Sequence, residues 1–118
     1  MTLLNNLGLI KEDQKKYEEA EEIYNKILST DAANPIVLSN RGAARTELGK
    51  LKLAMEDLNE SIRIYPENSF AFKNRAKLYL KMKELEKACQ DLNEATRLGF
   101  AKMYGDEVTT LLNLNCKK

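Results

Sequence analysis

Apolar and small residues recur along the chain at intervals of three and four, and glycine or proline interrupts the rhythm at regular points. From Pro35 the positions Leu38, Gly42, Ala44, Arg45 and Leu48 keep helical spacing until Gly49-Lys50. Asn34 is placed to cap this helix, and Pro35 suits its first position because a missing N–H costs nothing there. Glycine at 49 permits the left-handed turn that ends a helix. A second amphipathic stretch runs from about Leu51 to Ile64, with Leu51, Ala54, Leu58, Ser61 and Ile62 on one face, and stops at Tyr65-Pro66. The short turn makes the two helices antiparallel neighbours in a hairpin.

This hairpin is one of several. The four residues Asp57-Leu58-Asn59-Glu60 return as Asp91-Leu92-Asn93-Glu94, Asn40-Arg41 returns as Asn74-Arg75, and Ala54 as Ala88, each 34 residues later. Counting back by the same step, Asn40 meets Asn6, Gly42 meets Gly8 and Ala54 meets Ala20. The chain therefore divides into units 1–34, 35–68 and 69–102, followed by a non-repeating segment 103–118. Self-similarity at this period marks a solenoid, in which each unit buries its apolar face on its neighbours. Place 8 of each unit holds Gly8, Gly42 or Ala76, and place 20 holds Ala20, Ala54 or Ala88. Small side chains there let the two helix axes of a hairpin approach closely, toward the lower end of the range of roughly 8–10 Å.

In these residues the chain resembles the tetratricopeptide repeat family. The pattern is carried by the small residues at place 8, by alanine at place 20, by Tyr24, Leu58 and Leu92 at place 24, and by Pro66 at place 32. Ala32 and Phe100 depart from the proline, Ile27 and Ser61 from the alanine usual at place 27, and Arg41 and Arg75 from the leucine usual at place 7. The resemblance implies an all-α fold, a right-handed α-solenoid of three antiparallel helix pairs with a seventh, capping helix. It further implies that the first helices line a concave groove for protein segments.

Charge enters the pattern in matched steps. Place 7 carries Leu7, Arg41 and Arg75 while place 23 carries Ile23, Asp57 and Asp91, so apolar faces apolar and charge faces charge across each hairpin. Arg41 with Asp57 and Arg75 with Asp91 read as within-repeat ion pairs. The competing reading, two arginines gripping a ligand carboxylate, does not explain why the substitutions come together. The net charge of +1 lacks the basic excess that phosphate neutralisation requires, which argues against a nucleic-acid partner. No apolar run reaches the roughly 18 residues of a membrane span, and no leader pattern precedes the first helix. The chain holds two cysteines and no histidine, so the usual zinc sites and the commonest general base at neutral pH are missing. No glycine-rich phosphate loop accompanies them. Neither an enzyme nor a cofactor is expected.

In the resembled family places 2, 5, 6, 9, 12 and 13 of the first helix face the groove. Here place 6 is Asn6, Asn40 and Asn74, whose amides offer donor and acceptor together and suit a peptide backbone. Glu12, Asp13 and Glu47 lie on the first two repeats and Lys73, Lys77 and Lys81 on the third, so the groove runs from acidic to basic. A solvated helix face is an equal reading of those lysines. Thr2, Ile36 and Phe70 add apolar contacts at place 2, with Phe70 the strongest anchor candidate. The expected groove set is thus Asn6, Asn40, Phe70, Lys73, Asn74, Lys77 and Lys81. A subfamily that clamps the C-terminal carboxylates of chaperone tails uses residues at places where this chain has Asn5, Leu9, Asn40, Phe70 and Asn74, and only Asn40 matches.

Beyond Leu98-Gly99, residues 100–105 read as a connection. Asp106 then caps a short helix whose Val108, Leu111 and Leu112 cover the third repeat, with Asn113, Asn115, Lys117 and Lys118 turned outward. Cys89 and Cys116 read as unpaired thiols of a cytoplasmic protein; a bridge between them would point to an exported one. The first repeat, opening directly in a helical pattern, is expected to expose its apolar face, as a piece cut from a longer array or a self-associating surface would. Two functions follow: a module holding an extended protein or peptide partner, possibly acidic by the lysines, or an assembly element associating through repeat one.

Overall fold

The computed structural model describes residues 2–116, the side chain of Thr2 excepted. The groove contact expected of Thr2 and the polar ends Lys117 and Lys118 therefore lie outside the described residues. These residues form α1 (Thr2–Asp13), α2 (Tyr17–Thr30), α3 (Pro35–Glu47), α4 (Leu51–Ile64), α5 (Ser69–Lys81), α6 (Leu85–Arg97), α7 (Phe100–Tyr104) and α8 (Glu107–Asn115), with no strand among them. Helices α1–α2, α3–α4 and α5–α6 pack as three hairpins; α2 lies on α3 and α4 on α5, and α3 sits between α1 and α5. The body measures 43 × 26 × 25 Å, elongated as stacked hairpins must be.

Local chemistry accounts for the hairpins. The Asn34 side chain accepts hydrogen bonds from the backbone N–H groups of Ile36 and Val37, both at 3.1 Å, and Asn68 does the same for Phe70 and Ala71 at 3.1 and 3.4 Å. Each thereby satisfies two of the donors a helix start leaves orphaned. Every hairpin turns through a left-handed residue at place 15: Lys15 at φ 62°, Gly49 at φ 80° and Lys83 at φ 62°. Close approach of the paired helices is equally direct. A Cβ at Gly8 would stand 2.4 Å from Tyr24 Cε1 and one at Gly42 2.7 Å from Leu58 Cγ, while Ala20, Ala54 and Ala88 are wholly buried.

The expected ion pairs form. Arg41 donates from Nε and Nη2 to the two carboxylate oxygens of Asp57, each at 2.8 Å, and Arg75 grips Asp91 likewise at 2.8 and 2.9 Å. The remaining Nη1 reaches back a repeat, Arg41 to Asn25 Oδ1 at 2.8 Å and Arg75 to Asn59 Oδ1 at 2.9 Å. In Asp57-Leu58-Asn59-Glu60, then, the aspartate closes its own hairpin and the asparagine receives the next one. Arg45 adds bonds to Glu21 at 2.8 Å and Asp57 at 3.0 Å. Burial raises the Glu21 pKa, but its bonds to Lys50 and Arg45 outweigh that and hold the carboxyl below the usual range.

Three expectations fail at the C-terminal end. Residues Phe100–Tyr104 are a turn of helix, not a connection, so the covering helix is α8 and the eighth in the chain. Left-handed glycines at both ends, Gly99 at φ 89° and Gly105 at φ 98°, set α7 apart from its neighbours. Phe100, standing where the repeat usually has proline, is 1% exposed and packs with Ala76, Leu92, Ala95 and Val108, which gives that departure a packing reason. Asp106 precedes α8 but makes no side-chain capping bond. The cysteines are not unpaired thiols: Cys89 and Cys116 are joined, with Cα atoms 5.8 Å apart. Helix α8 packs along α6, which brings the end of one against the start of the other.

Candidate functional site

Helices α1, α3 and α5 carry the inner surface. Between them lies a cleft of about 320 Å3 whose walls include Glu12 and Asp13 from α1, Asn40, Ala43 and Glu47 from α3, and Phe70, Lys73, Asn74 and Lys77 from α5; Glu107 of α8 reaches its rim. Five of the seven expected groove residues, Asn40, Phe70, Lys73, Asn74 and Lys77, are brought together here. Asn6 is exposed and outside the cleft, and Lys81 is turned to Glu47 at 3.7 Å.

The asparagines do not stand free. Asn40 is 4% exposed and donates from Nδ2 to Asn5 Oδ1 at 2.9 Å; Asn74 is 2% exposed and donates to Ser39, at 3.0 Å to Oγ and 3.3 Å to the backbone carbonyl. Their amide nitrogens tie each first helix to the one before it. What they can still offer a ligand is the amide oxygen, an acceptor for a peptide N–H. The place-6 asparagines were expected to form a ladder facing the groove; that Asn5 and Ser39 of the preceding repeats would engage them was not legible in the sequence.

The expected charge trend is largely neutralised within the molecule. Glu107 bridges Lys73, at 3.3 Å, and Lys77, at 3.1 Å. Burial raises the Glu107 pKa, yet the two ammonium groups outweigh it and keep the carboxyl below its ordinary range. Lys73 is 6% exposed, with its ammonium 4.1 Å from the centre of the Phe70 ring, a cation–π contact. Burial pushes its pKa down, against the pull of Glu107. On the opposite wall Glu12 accepts a hydrogen bond from the Tyr24 hydroxyl. Burial moves the Glu12 pKa up to about 6, against the lowering effects of that bond and of Lys73. Tyr24, buried and facing this carboxylate, is pushed up as well.

Phe70 joins the groove to the covering segment. Its ring centre lies 5.2 Å from that of Tyr104 in an edge-on contact and 6.0 Å from that of Phe100. Tyr104 borders a second hollow beside the cleft and was missed from sequence, since residues 100–105 gave no periodic signal. Among the described residues no cluster suits a metal ion and no helix is long and apolar enough to cross a membrane.

Comparison with known proteins agrees with the fold. Residues 2–34, 37–68 and 74–98 match the family pattern described as tetratricopeptide repeat. No curated protein sequence is similar enough to count as a match. Among solved structures, the second such domain of human RPAP3, in complex with the HSP70 peptide SGPTIEEVD, superposes with a TM-score of 0.78 at 26% identity, covering 98% of this chain and 93% of that one. The first such domain of Spaghetti (RPAP3), bound to the HSP90 peptide SRMEEVD, superposes with a TM-score of 0.74 at 25% identity over 95% and 92%. The Yersinia enterocolitica type III secretion chaperone SycD, in complex with a peptide of the translocator YopD, gives 0.78 at 20% identity over 98% and 91%, a likeness of fold.

Proposed function

Because the chain belongs to the tetratricopeptide repeat family, whose solved members above include domains holding peptides, we propose that it is a protein-interaction module and that the cleft between α1, α3 and α5 receives an extended segment of its partner. The observation that carries this reading is the cleft itself. It is walled by all three first helices, has an apolar ring at Phe70, and keeps both signs of charge within reach of one bound chain. Backbone N–H groups of the segment meet the free oxygens of Asn40 and Asn74. An acidic side chain or terminus meets Lys73 and Lys77 only by displacing Glu107, so the module takes acidic segments against an internal competitor. The residues that clamp chaperone tails are not at their places here, apart from Asn40, which argues against those tails as the ligand.

The test is selection of binders from a random peptide library, followed by affinity measurement on three proteins. Ala43→Arg fills the cleft from a half-buried wall position and should abolish binding. Glu107→Gln should strengthen binding of acidic peptides several-fold and leave neutral ones unchanged. Peptides that bind the A43R protein undiminished would refute the cleft as the site.

A second reading rests on α1, where Leu3 is 84% exposed, Leu7 41% and Ile10 49%, at helical spacing on one face. Such a stripe supports association through repeat one, with another copy or a further repeat. Sedimentation over a hundredfold concentration range checks it: a constant monomer mass rules out self-association, and a rising mass that Leu7→Glu abolishes supports it.

A further inference from the structure

Beside the charged cleft, and continuous with it through Leu9, Asn40 and Phe70, lies a smaller hollow of about 170 Å3, floored by Ser39 and Asn40 and walled by Leu9, Ile36, Phe70 and Tyr104. Asn68 borders it, and this residue is unusual. It is 5% exposed, its Oδ1 is spent on capping α5, and its Nδ2 is the buried side-chain atom left without a hydrogen-bond partner among the described residues. The preceding repeat shows what is missing. There the same capping residue, Asn34, donates from Nδ2 to Asp31 Oδ2 at 3.0 Å. One repeat later the place of Asp31 is taken by Tyr65, whose side chain has no carboxylate to offer.

A buried amide donor left unpaired is destabilising, and in native proteins it calls for an explanation. An apolar cavity of roughly 150 Å3 accommodates a benzene-sized group. We propose that this hollow is the anchor subsite of the bound segment, taking one leucine-sized apolar side chain while the main-chain carbonyl next to it accepts the Asn68 Nδ2 proton. The inference deepens the cleft reading and rests on it: the anchor sets the register in which the rest of the segment crosses toward Lys73 and Glu12. Polar or charged side chains are refused because the walls are apolar, and the unpaired donor ties recognition to a peptide carbonyl. Because Asn68 Nδ2 is itself buried, the carbonyl reaches it through a side-chain adjustment of the kind interfaces make on binding.

The experiment is an NMR titration of the whole chain with N-acetyl-leucine N-methylamide, and with its alanine and aspartate analogues, each up to tens of millimolar. The leucine compound should shift the Asn68 side-chain NH2, the Phe70 and Tyr104 ring signals and the Ile36 methyls, saturating at about millimolar concentration. The other two should not. Asn68→Ser keeps a capping oxygen but loses the amide donor, so it should fold as the parent does and bind the leucine compound about fivefold more weakly. Equal response to leucine and alanine compounds, no shifts at the hollow, or unchanged affinity in N68S would overturn the proposal. Failure of the cleft reading looks different: the leucine compound fills the hollow, but no selected peptide loses affinity when Ala43→Arg blocks the neighbouring cleft.

Discussion

Arg75 and Asp91 are set in a hairpin where the corresponding residues of the first repeat are Leu7 and Ile23, so the molecule itself contains the apolar alternative. Their side chains are 20% and 7% exposed, and the Asp91 bond holds the Arg75 pKa up. Replacing Asp91 alone by isoleucine strands a partly buried guanidinium, and we expect a loss of about 2–3 kcal/mol; Arg75→Leu with Asp91→Ile should lose clearly less. Chemical denaturation of the two single variants and the double one checks this, and equal or additive losses would contradict it. A smaller effect belongs to Lys83, held at φ 62° where Gly49 serves in the middle hairpin. Lys83→Gly should stabilise by roughly 0.5–1 kcal/mol, read as a higher denaturation midpoint, because only glycine takes that conformation without strain. The Arg–Asp pairing was legible in the sequence because both members change together. The bonds from Arg41 to Asn25 and from Arg75 to Asn59 were not, since each joins two repeats and nothing in one repeat's pattern announces the partner.

Among the elements, α8 is held to the third repeat by the Cys89–Cys116 bridge to α6, by the packing of Val108, Leu111 and Leu112, and by Glu107 on α5. The bridge closes a loop of sequence separation 27, for which the chain-entropy account gives about 3.5 kcal/mol. Reduction, or replacement of both cysteines by serine, should lower stability by about that much. Amide exchange should quicken first in residues 107–115, with α3 and α4 little changed; uniform quickening along the chain would contradict a local role. The helical hairpins were readable because each runs over a dozen residues of clear period. Helix α7 was not, because five residues between two glycines are too few to show one. The bridge was hidden for a related reason: whether two helix ends meet within the reach of a disulfide depends on the crossing of α6 and α8, which residue spacing does not encode.

At the scale of the molecule the charge pattern is a matter of cross-connection. Acidic residues on the first two repeats and basic ones on the third suggested a graded groove, but Glu107, from the segment outside the repeats, comes back to neutralise Lys73 and Lys77. What remains unusual is Glu12, whose pKa of about 6 lies above the carboxylate range because burial outweighs its bond to Tyr24 and the nearby Lys73 and Lys77, with Asp13 adding to the rise. A raised folded-state pKa means that folding favours the protonated form. The Glu12 contribution is therefore fully present below about pH 4.5 and is lost as pH climbs through about 6, some 2 kcal/mol in all. Glu12→Gln, which keeps an acceptor for Tyr24, should match the parent at low pH and exceed it in stability at pH 8; a difference that does not change with pH would contradict this.

The proposed function requires that a partner segment lie across α1, α3 and α5. The most direct measurement is the map of backbone amide shifts when a selected peptide is titrated into the labelled protein. Changes grouped on Glu12, Asn40, Ala43, Phe70, Asn74 and Lys77 are expected. Changes confined instead to Leu3, Leu7 and Ile10 on α1, with the cleft silent, would contradict the proposal.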